Sequence, residues 1–359
     1  MKRVVPGLVG AGHGAGPRRS GPLRGLLRAA LWLGCCLLCG TGWAQRTVTD
    51  VTGRSVRIPE TVSRTATLGG TPVLNSFLFA IGRTEVIANG LPPFARTSYW
   101  SMQRRLMPQV STLPPITGGD GQPSIEALLA LAPGVVVTNM RAFVPVLEAA
   151  GLPTLLVDWN DFDDLMRIVD LFGEVFHAKA RAQEFRGYCE GNVKRVRSGL
   201  AAGTAPLRRP SAALLNLKTM SQPVRHLTDW ALATVASDNI GRRTPEGQTA
   251  MPLETLLRAD PEVLVVWSRK DLEQVSTDPR FAHLSAVRNK RVHAVPVGAA
   301  PWLTPSAEYC LGILWLAQRT HPERFADLDL VGETREFYRR FYSMPIDARE
   351  AAAILAGMD

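Results

Sequence analysis

One pattern of apolar and polar positions occurs twice in this chain. Residues 123–138 read PSIEALLALAPGVVVT, and residues 251–266 read MPLETLLRADPEVLVV. Each copy starts as an amphipathic helix opened by an acid, continues with a proline that stops the helix, and ends in an apolar run of strand length. A run such as VVV or VLVV, without polar alternation, is typical of a strand covered on both faces, as in parallel sheets. The repetition therefore predicts two similar α/β lobes.

The apolar period changes to that of a helix between the two copies. Residues 162–176 predict one helix, and residues 178–200 predict a second helix with a basic face opposite its apolar stripe. At 1.5 Å per residue the second helix would be ~35 Å long, about the diameter of a small domain. A helix of this length between two α/β halves predicts a rigid spine, with a cleft between the lobes.

These elements predict an α/β protein with two Rossmann-like lobes, a long spine helix and a ligand cleft between the lobes. We expect a signal peptide at 1–44, an N-terminal lobe at 45–160, connecting helices that include the spine at 161–205, and a C-terminal lobe at 206–359. Residues 47–59 alternate polar and apolar positions around Thr52-Gly53, which predicts a small hairpin. The aromatic residues expected to pack in the core near the end of the chain are Phe337, Tyr338, Phe341 and Tyr342.

The first 44 residues have the features of a secretory signal. An arginine-bearing start is followed by the apolar run Ala29–Cys39 and by Gly42-Trp43-Ala44, whose small residues fit signal-peptidase cleavage after Ala44. The apolar run is shorter than the ~20 residues of a membrane-spanning helix. A twin-arginine signal and a lipobox both fit the flanking residues less well. We therefore expect the mature protein to begin near Gln45 and to be soluble in the periplasm.

The charge balance and the motifs exclude several classes of function. Six basic and no acidic residues lie in the first 44, so the rest of the chain carries +3 of the formal net charge of +9. It shows no basic stripe with interleaved aromatic residues, which argues against a nucleic-acid partner. The sequence contains no phosphate loop, GxSxG elbow or HExxH pair, and its histidines lack the spacing of a metal site. We expect a protein that is no enzyme and holds no intrinsic cofactor or metal.

Two cysteines remain after the predicted leader, Cys189 and Cys310. Two distant cysteines make neither a metal pattern nor a disulfide framework. They would be able to pair in an oxidising compartment. Because cysteine is among the most buried residue types, we expect two buried free thiols.

The two repeats, the spine and the segment WLAQRTHPERFADLDLVGETREFYRRFY together resemble the periplasmic substrate-binding proteins of ABC importers. The resemblance is to the branch that handles iron–siderophores, haem and cobalamin, and it covers nearly the whole chain after the leader. The family usually has Pro-Asp after the repeated helix, where this chain has Pro133-Gly134 and Pro261-Glu262.

This resemblance implies a monomeric periplasmic protein that captures a metal complex and delivers it to an inner-membrane ABC permease. The metal would arrive already chelated, in the first instance as an iron–siderophore. The alternatives are haem or cobalamin, an oxyanion such as molybdate held by backbone N–H groups and arginines, and a two-lobed metallocofactor enzyme.

Glu126 and Glu254 occupy equivalent positions in the two repeats. An acid in the first turn of a helix is stabilised by the helix dipole, by ~0.3–1 kcal/mol, without any partner. The resemblance implies a further role, because family members dock one acid of each lobe into an arginine pocket of the permease. We therefore expect both glutamates to face the transporter.

The ligand is expected beyond the carboxyl ends of the strands, where ligands of open α/β sheets bind. The loops predicted to lie there are rich in Trp, Tyr and Arg, which suit a flat chelator and its anionic oxygens. We expect the aromatic rings to face each other across the cleft, with two arginines reaching in from the ends of the paired strands. The residues expected to bind the ligand are Tyr99, Trp100, Arg141, Arg269 and Trp302.

Overall fold

The computed structural model describes residues 44–202, 206–222, 225–243 and 250–359, so the predicted leader, apart from Ala44, lies outside the described residues. Residues 45–359 form one compact unit. None of the described helices is long and apolar enough to cross a membrane.

The strands are β1 (Gln45–Thr49), β2 (Ser55–Pro59), β3 (Thr65–Leu68), β4 (Val135–Thr138), β5 (Thr154–Leu156), β6 (Ser211–Leu215), β7 (Asp238–Asn239), β8 (Val263–Val266) and β9 (Val292–Ala294). The helices are α1 (Thr71–Ala80), α2 (Ser101–Leu106), α3 (Ile125–Leu131), α4 (Val144–Ala149), α5 (Phe162–Val175), α6 (Lys179–Ala201), α7 (Arg225–Thr234), α8 (Leu253–Ala259), α9 (Arg269–Thr277), α10 (Ser285–Arg288), α11 (Tyr309–Thr320), α12 (Leu330–Phe341) and α13 (Ala348–Leu355).

Two parallel sheets define the two lobes. The N-terminal sheet has the strand order β3-β4-β5, and the C-terminal sheet has the order β7-β6-β8-β9. Neighbouring strands are parallel in both sheets. The strands β1 and β2 pair antiparallel as the predicted hairpin. The predicted fold class is therefore confirmed, while the residue boundaries of the lobes stay a prediction.

The apolar runs of the two repeats are buried on both faces. In β4, Val135 and Val137 face the main core, whereas Val136 faces a smaller apolar cluster on the other side of the sheet. The four residues of β8 alternate in the same way between the main core and a second outer cluster. Because neither face meets water, these strands need no polar positions.

The repeated helices also end in the same backbone conformation. Ala132 after α3 and Asp260 after α8 both have left-handed backbone angles, with φ of 46° and 40°. Each is followed by a proline, which cannot continue a helix. The Asp260 carboxylate accepts hydrogen bonds from the amide and the hydroxyl of Ser285, both at 2.6 Å. The repeat in the sequence is thus also a repeat of backbone shape.

Helix α6 is the predicted spine and is 23 residues long. It packs against α5 and α11. Its residue Phe185 contacts the rings of Phe337 and Phe341 in α12, at centroid distances of 6.3 and 5.1 Å. The aromatic residues near the end of the chain are therefore in the core, as predicted. One buried core extends from the inner face of the N-terminal sheet, through these helices, to the inner face of the C-terminal sheet.

The expectation of two free thiols is wrong. Cys189 in α6 and Cys310, at the start of α11, form a disulfide with their Cα atoms 5.0 Å apart. The side chain of Asn192 donates to the Cys310 carbonyl at 3.0 Å. The cysteines are 121 residues apart in the chain, and the packing of α6 against α11 brings them together.

Reducing this disulfide is expected to destabilise the protein. A crosslink that closes a long loop restricts the unfolded chain, and such disulfides typically contribute about 2–4 kcal/mol. Urea unfolding with and without a reductant measures the difference. A double variant, Cys189→Ala with Cys310→Ala, should be less stable than the oxidised protein and insensitive to the reductant. Equal unfolding midpoints for the oxidised and reduced wild type would contradict the prediction.

Candidate functional site

The loops after β3 and β4 lie against each other in the N-terminal lobe. The last residues of these strands, Leu68 and Thr138, pair across the sheet, so the following residues leave at the same edge. At Gly69 φ is +86°, and a Cβ would lie 2.5 Å from Asn139 Oδ1. The Gly70 amide donates to that same oxygen at 2.8 Å. Glycine is required at position 69 because the backbone angle and the close approach both exclude a side chain.

The loops after β8 and β9 lie at the corresponding edge of the C-terminal lobe. Val266, the last residue of β8, pairs with Ala294, the last residue of β9. The hydroxyl of Ser268 caps helix α9 by accepting from the Asp271 amide at 3.0 Å. Residues 295–303, which follow β9, are all buried. The two lobes therefore offer equivalent strand ends, where ligands of parallel sheets bind.

Two side chains of the long N-terminal-lobe loop make hydrogen bonds to backbone carbonyls of the C-terminal lobe. The Tyr99 hydroxyl donates to the Trp267 carbonyl at 3.2 Å. The fully buried Gln103 donates through Nε2 to the Ala299 carbonyl at 2.7 Å and to the Pro72 carbonyl at 2.8 Å. In both contacts across the interface the N-terminal lobe supplies a side chain and the C-terminal lobe supplies a backbone carbonyl. Gln103 was not predictable from the sequence, because a glutamine in a short helix has no distinguishing pattern.

The structure brings two of the predicted ligand-binding residues together. The rings of Tyr99 and Trp100 meet edge to face at 5.4 Å, and Phe94 contacts Trp100 at 6.2 Å. Phe94 is 56% exposed, so this cluster presents an aromatic surface to solvent. Burial, and to a lesser extent the charge of Asp271, raises the pKa of Tyr99, which stays a neutral donor. That Tyr99 and Trp100 bind the ligand stays a prediction.

Trp302 is buried in the core. The expectation that its ring faces the other aromatic rings across the cleft is therefore corrected. Its side chain has no exposed area and belongs to the main core. The backbone carbonyl of Trp302 lies against α11, where a Cβ at Gly312 would be 2.4 Å away. Gly312 thus lets the loop pack directly on the helix. In this conformation the Trp302 ring is a packing residue rather than the partner of Tyr99 across a cleft.

The two predicted arginines are exposed, and each has an acidic partner. Arg141 Nη2 lies 3.4 Å from the Asp158 carboxylate, and Arg269 Nη2 lies 2.8 Å from the Asp359 carboxylate. The hydrogen bond from Arg269 to Asp359 raises the pKa of Arg269. Exposed ion pairs contribute only ~0–1 kcal/mol, so a ligand would displace either partner at little cost. The positive charge of both arginines is nevertheless compensated within the protein, and their ligand role stays a prediction.

Two other arginines line a cavity within the N-terminal-lobe loop. Arg96 Nε donates to the Leu91 carbonyl at 3.1 Å, and Arg104 Nη2 donates to the Thr97 carbonyl at 3.1 Å. The Nη1 atom of Arg104 is buried and has no hydrogen-bond partner among the described residues. The cavity has a volume of about 420 Å³ and is lined by Gly90, Leu91, Arg96, Arg104, Val110, Ser111, Leu113 and Pro115.

This cavity carries positive charge that the described part of the chain does not neutralise. None of its lining residues is acidic. The adjacent Arg105, by contrast, is paired with Glu350 at 2.6 Å. The sequence shows all three arginines in one loop, but folded neighbours decide which of them keeps an uncompensated charge. Arg96 and Arg104 are therefore the cations of this loop best placed to attract an anion.

The two repeated acids lie on the protein surface. Glu126 in the first turn of α3 and Glu254 in the first turn of α8 are both exposed. Each is followed three residues later by an exposed leucine, Leu129 at 51% and Leu257 at 36%. Equivalent helices of the two lobes thus present the same acid–leucine pair to solvent. That these acids dock onto a transporter stays a prediction.

Metal-ligating side chains are not grouped in the described ranges. No set of three or more His, Cys, Asp or Glu residues there is arranged to hold a metal ion. His177 Nε2 lies 2.7 Å from the Glu60 carbonyl oxygen. Burial lowers the pKa of His293 to about 4, and the charges of Arg319 and Arg291 contribute. His177 and His293 therefore belong to no shared group of metal ligands among the described residues.

Comparisons with known proteins agree with the observed fold. The family described as periplasmic binding protein matches residues 92–297. The chain is 27% identical over 341 residues to the molybdate-binding protein MolA of Haemophilus influenzae, covering 86% of this chain and 94% of the relative. The crystal structure of MolA bound to molybdate matches with a TM-score of 0.72 at 23% identity, covering 84% of this chain and 99% of MolA. A periplasmic solute-binding protein from Veillonella parvula matches with a TM-score of 0.74 at 20% identity, covering 87% and 97%.

Replacing Trp302 with alanine is expected to destabilise the fold. Truncating a buried tryptophan typically costs about 3–5 kcal/mol, because the transfer energy is lost and a cavity remains. Urea unfolding of Trp302→Ala measures this loss. Trp100→Ala is the matched control and should cost less, because Trp100 is only partly buried. An unfolding midpoint for Trp302→Ala equal to that of the wild type would contradict the buried position.

Proposed function

Because the chain belongs to the periplasmic binding protein family, we propose that it is the solute-binding component of an ABC importer and that its ligand is an anion. The cavity with Arg96 and Arg104 carries this proposal, because its charge has no acidic partner in the described ranges. A buried guanidinium nitrogen without a partner is unfavourable, and an anionic oxygen would satisfy it with a charge-assisted hydrogen bond. The first candidate is an oxyanion such as molybdate, in keeping with the relative MolA.

The arginines are oriented before a ligand arrives. Arg104 is held through Nη2 on the Thr97 carbonyl, and its buried Nη1 has no hydrogen-bond partner among the described residues. Arg96 is held through Nε on the Leu91 carbonyl. Donors that are already fixed lose less entropy on binding. The oxyanion would accept from both guanidinium groups, with waters filling the remaining volume of the cavity.

An anionic metal chelate such as an iron–siderophore is the second candidate, and the aromatic cluster favours it. Phe94, Tyr99 and Trp100 lie in the same loop as Arg96 and Arg104, and most of the Phe94 ring is exposed. Aromatic faces suit flat organic chelators. The cavity volume of about 420 Å³ is within the range of small-molecule sites. With either ligand the protein holds no cofactor of its own, and any metal arrives with the ligand.

Substitution of Arg104 is expected to weaken anion binding. A hydrogen bond to a charged group contributes about 1.5–3 kcal/mol, so Arg104→Gln should weaken molybdate binding by about 10-fold or more. Isothermal titration calorimetry with molybdate, tungstate and a ferric catecholate complex measures affinity and ligand preference. Arg339→Gln is the matched control: Arg339 is an exposed arginine that already has an acidic partner, Glu336, and lies outside the predicted ligand site, so affinity should change little.

The outcomes of this titration separate the candidates. Binding of the ferric complex without binding of molybdate would establish the metal chelate as the ligand. Binding of either ligand that neither Arg96→Gln nor Arg104→Gln affects would place the ligand outside this cavity. Absence of binding by every anion tested would contradict the proposal of an anionic ligand.

We further propose that Glu126 and Glu254 dock the loaded protein onto the permease. Both are exposed, so Glu126→Ala and Glu254→Ala should each reduce uptake by cells, because each removes a charge that a permease arginine would pair with. Ligand affinity of the purified variants should stay within a few-fold of the wild type. Glu273→Ala, at an exposed glutamate of α9 outside the repeats, is the control and should leave uptake unchanged. Loss of ligand binding by either folded docking variant would contradict this role.

A further inference from the structure

A carboxylate that the proposed ligand site does not use lies in the interior of the protein. Glu308, the residue before helix α11, has no exposed area. Its Oε2 accepts a hydrogen bond from the Ala300 amide at 2.7 Å, and its Oε1 accepts one from the Tyr338 hydroxyl. Burying a carboxylate is costly unless hydrogen bonds replace its water. The hydrogen bonds from Ala300 and Tyr338 therefore compensate for the loss of hydration of Glu308.

The loop after β9 packs directly on Glu308 and Tyr338. A Cβ at Gly298 would lie 1.9 Å from the Tyr338 hydroxyl and 2.0 Å from Glu308 Oε1. The loop is closed by the Gly298 amide, which donates to the Ala300 carbonyl at 3.3 Å. Any larger residue at position 298 would push the backbone off the carboxylate. The shape of the loop is thus fitted to Glu308.

One peptide group connects Glu308 to the other lobe. The group between Ala299 and Ala300 places its N–H on the Glu308 carboxylate and its carbonyl oxygen on the Gln103 side chain, with 2.7 Å for each hydrogen bond. Because a peptide group is planar and rigid, its N–H and carbonyl directions are fixed relative to each other. A side chain that holds the N–H therefore also aims the carbonyl. Gln103 lies on α2 of the N-terminal lobe, so this line of contacts crosses the lobe interface.

The side chains that face this carboxylate carry hydroxyl and indole N–H groups rather than basic groups. Tyr338 of α12 donates to the carboxylate, and Tyr342, the residue after α12, lies near it. Burial and the charge of Glu308 raise the pKa values of both tyrosines. The Trp302 indole lies close enough to lower the pKa of Glu308 slightly, but without a hydrogen bond of normal geometry. Burial outweighs these donors and raises the pKa of Glu308 to about 7. The carboxylate therefore changes its charge near neutral pH.

We propose that Glu308 is a positioning residue for the lobe interface. Its ionised form fixes the peptide between Ala299 and Ala300 and so presents the Ala299 carbonyl to Gln103, whereas its protonated form holds that peptide more weakly. The contact between the lobes, and ligand affinity with it, then depends on pH around neutrality. The effect on affinity rests on the proposed function, but the effects on the peptide and on folding do not.

The Ala300 amide proton tests the proposal without any ligand. A hydrogen bond to a charged acceptor is stronger than one to a neutral acceptor, so the Ala300 resonance of the wild type should shift with a midpoint near pH 7. In Glu308→Gln, which keeps the side-chain size but cannot ionise, the shift should be absent. An Ala300 resonance that does not titrate in the wild type overturns the proposal, whether or not the variant folds.

Urea unfolding at several pH values is the second test. The pKa of Glu308 is raised in the folded state, so its stabilising contribution is complete below about pH 4.5 and is lost as the pH rises through about 7. Glu308→Gln should remove this loss, and its stability relative to the wild type should rise from about pH 5 to about pH 8. Parallel pH profiles for the two proteins would overturn the proposal.

Glu184→Gln is the matched control for the pH profile. The hydrogen bond from Arg340, together with Arg181, lowers the pKa of Glu184. The contribution of Glu184 to stability is therefore present at neutral pH and lost in acid, opposite to that of Glu308. Glu184→Gln should consequently lower stability at neutral pH and have its smallest effect in acid.

Molybdate titrations at about pH 6 and about pH 8 test the link to the proposed ligand cavity. The wild type should bind several-fold more tightly at the higher pH, and Glu308→Gln and Gln103→Met should each lose this dependence. The double variant should bind no more weakly than the single variants, because both act through one peptide group. Additive losses would overturn the route through Gln103. Absence of molybdate binding by the wild type would instead contradict the proposed ligand, and the Ala300 resonance would still decide the role of Glu308.

Discussion

The packing of α6 against α11 is the constraint on which both lobes depend. These helices come from distant parts of the chain and are joined by the disulfide between Cys189 and Cys310. Phe185 extends the same contact to the aromatic residues of α12. Because one continuous core includes the inner faces of both sheets, the main core crosses the lobe boundary. The hydrogen bonds of Tyr99 and Gln103 across the interface thus act on lobes whose relative position is already restricted by shared packing.

The fold was predictable because its signals are local in the sequence. The strands β4 and β8 have uninterrupted apolar runs because both of their faces are covered, and α6 shows the helical period over its whole length. The disulfide was not predictable, because the two cysteines meet through helix packing. The burial of Trp302 depends on Gly312, which allows its loop to approach α11 closely. No local pattern in the sequence reports either contact.

The candidate site was predictable only in part, for a related reason. Tyr99 and Trp100 are neighbours in the chain, so their contact follows from the loop that contains them. Whether an arginine has an acidic residue near it depends on the tertiary structure. Arg269 is compensated by the last residue of the chain, whereas Arg104 keeps a buried nitrogen without a partner among the described residues. Residue type and position identify arginines in loops, but the acids around them decide which arginines attract an anion.

The two lobes repeat in backbone shape but differ in the chemistry that they bring to their interface. In two of the contacts between them, the N-terminal lobe contributes the side chains of Tyr99 and Gln103, and the C-terminal lobe contributes the carbonyls of Trp267 and Ala299. In another contact, Arg105 pairs with the Glu350 side chain. A backbone carbonyl is present whatever the side chain, so at these two hydrogen bonds the C-terminal loops need to keep only their shape. Gly298 allows that shape after β9, because its missing side chain leaves room for the buried carboxylate. In the proposed function, selectivity between ligands depends on the long loop of the N-terminal lobe, because that loop supplies the lining residues of the cavity.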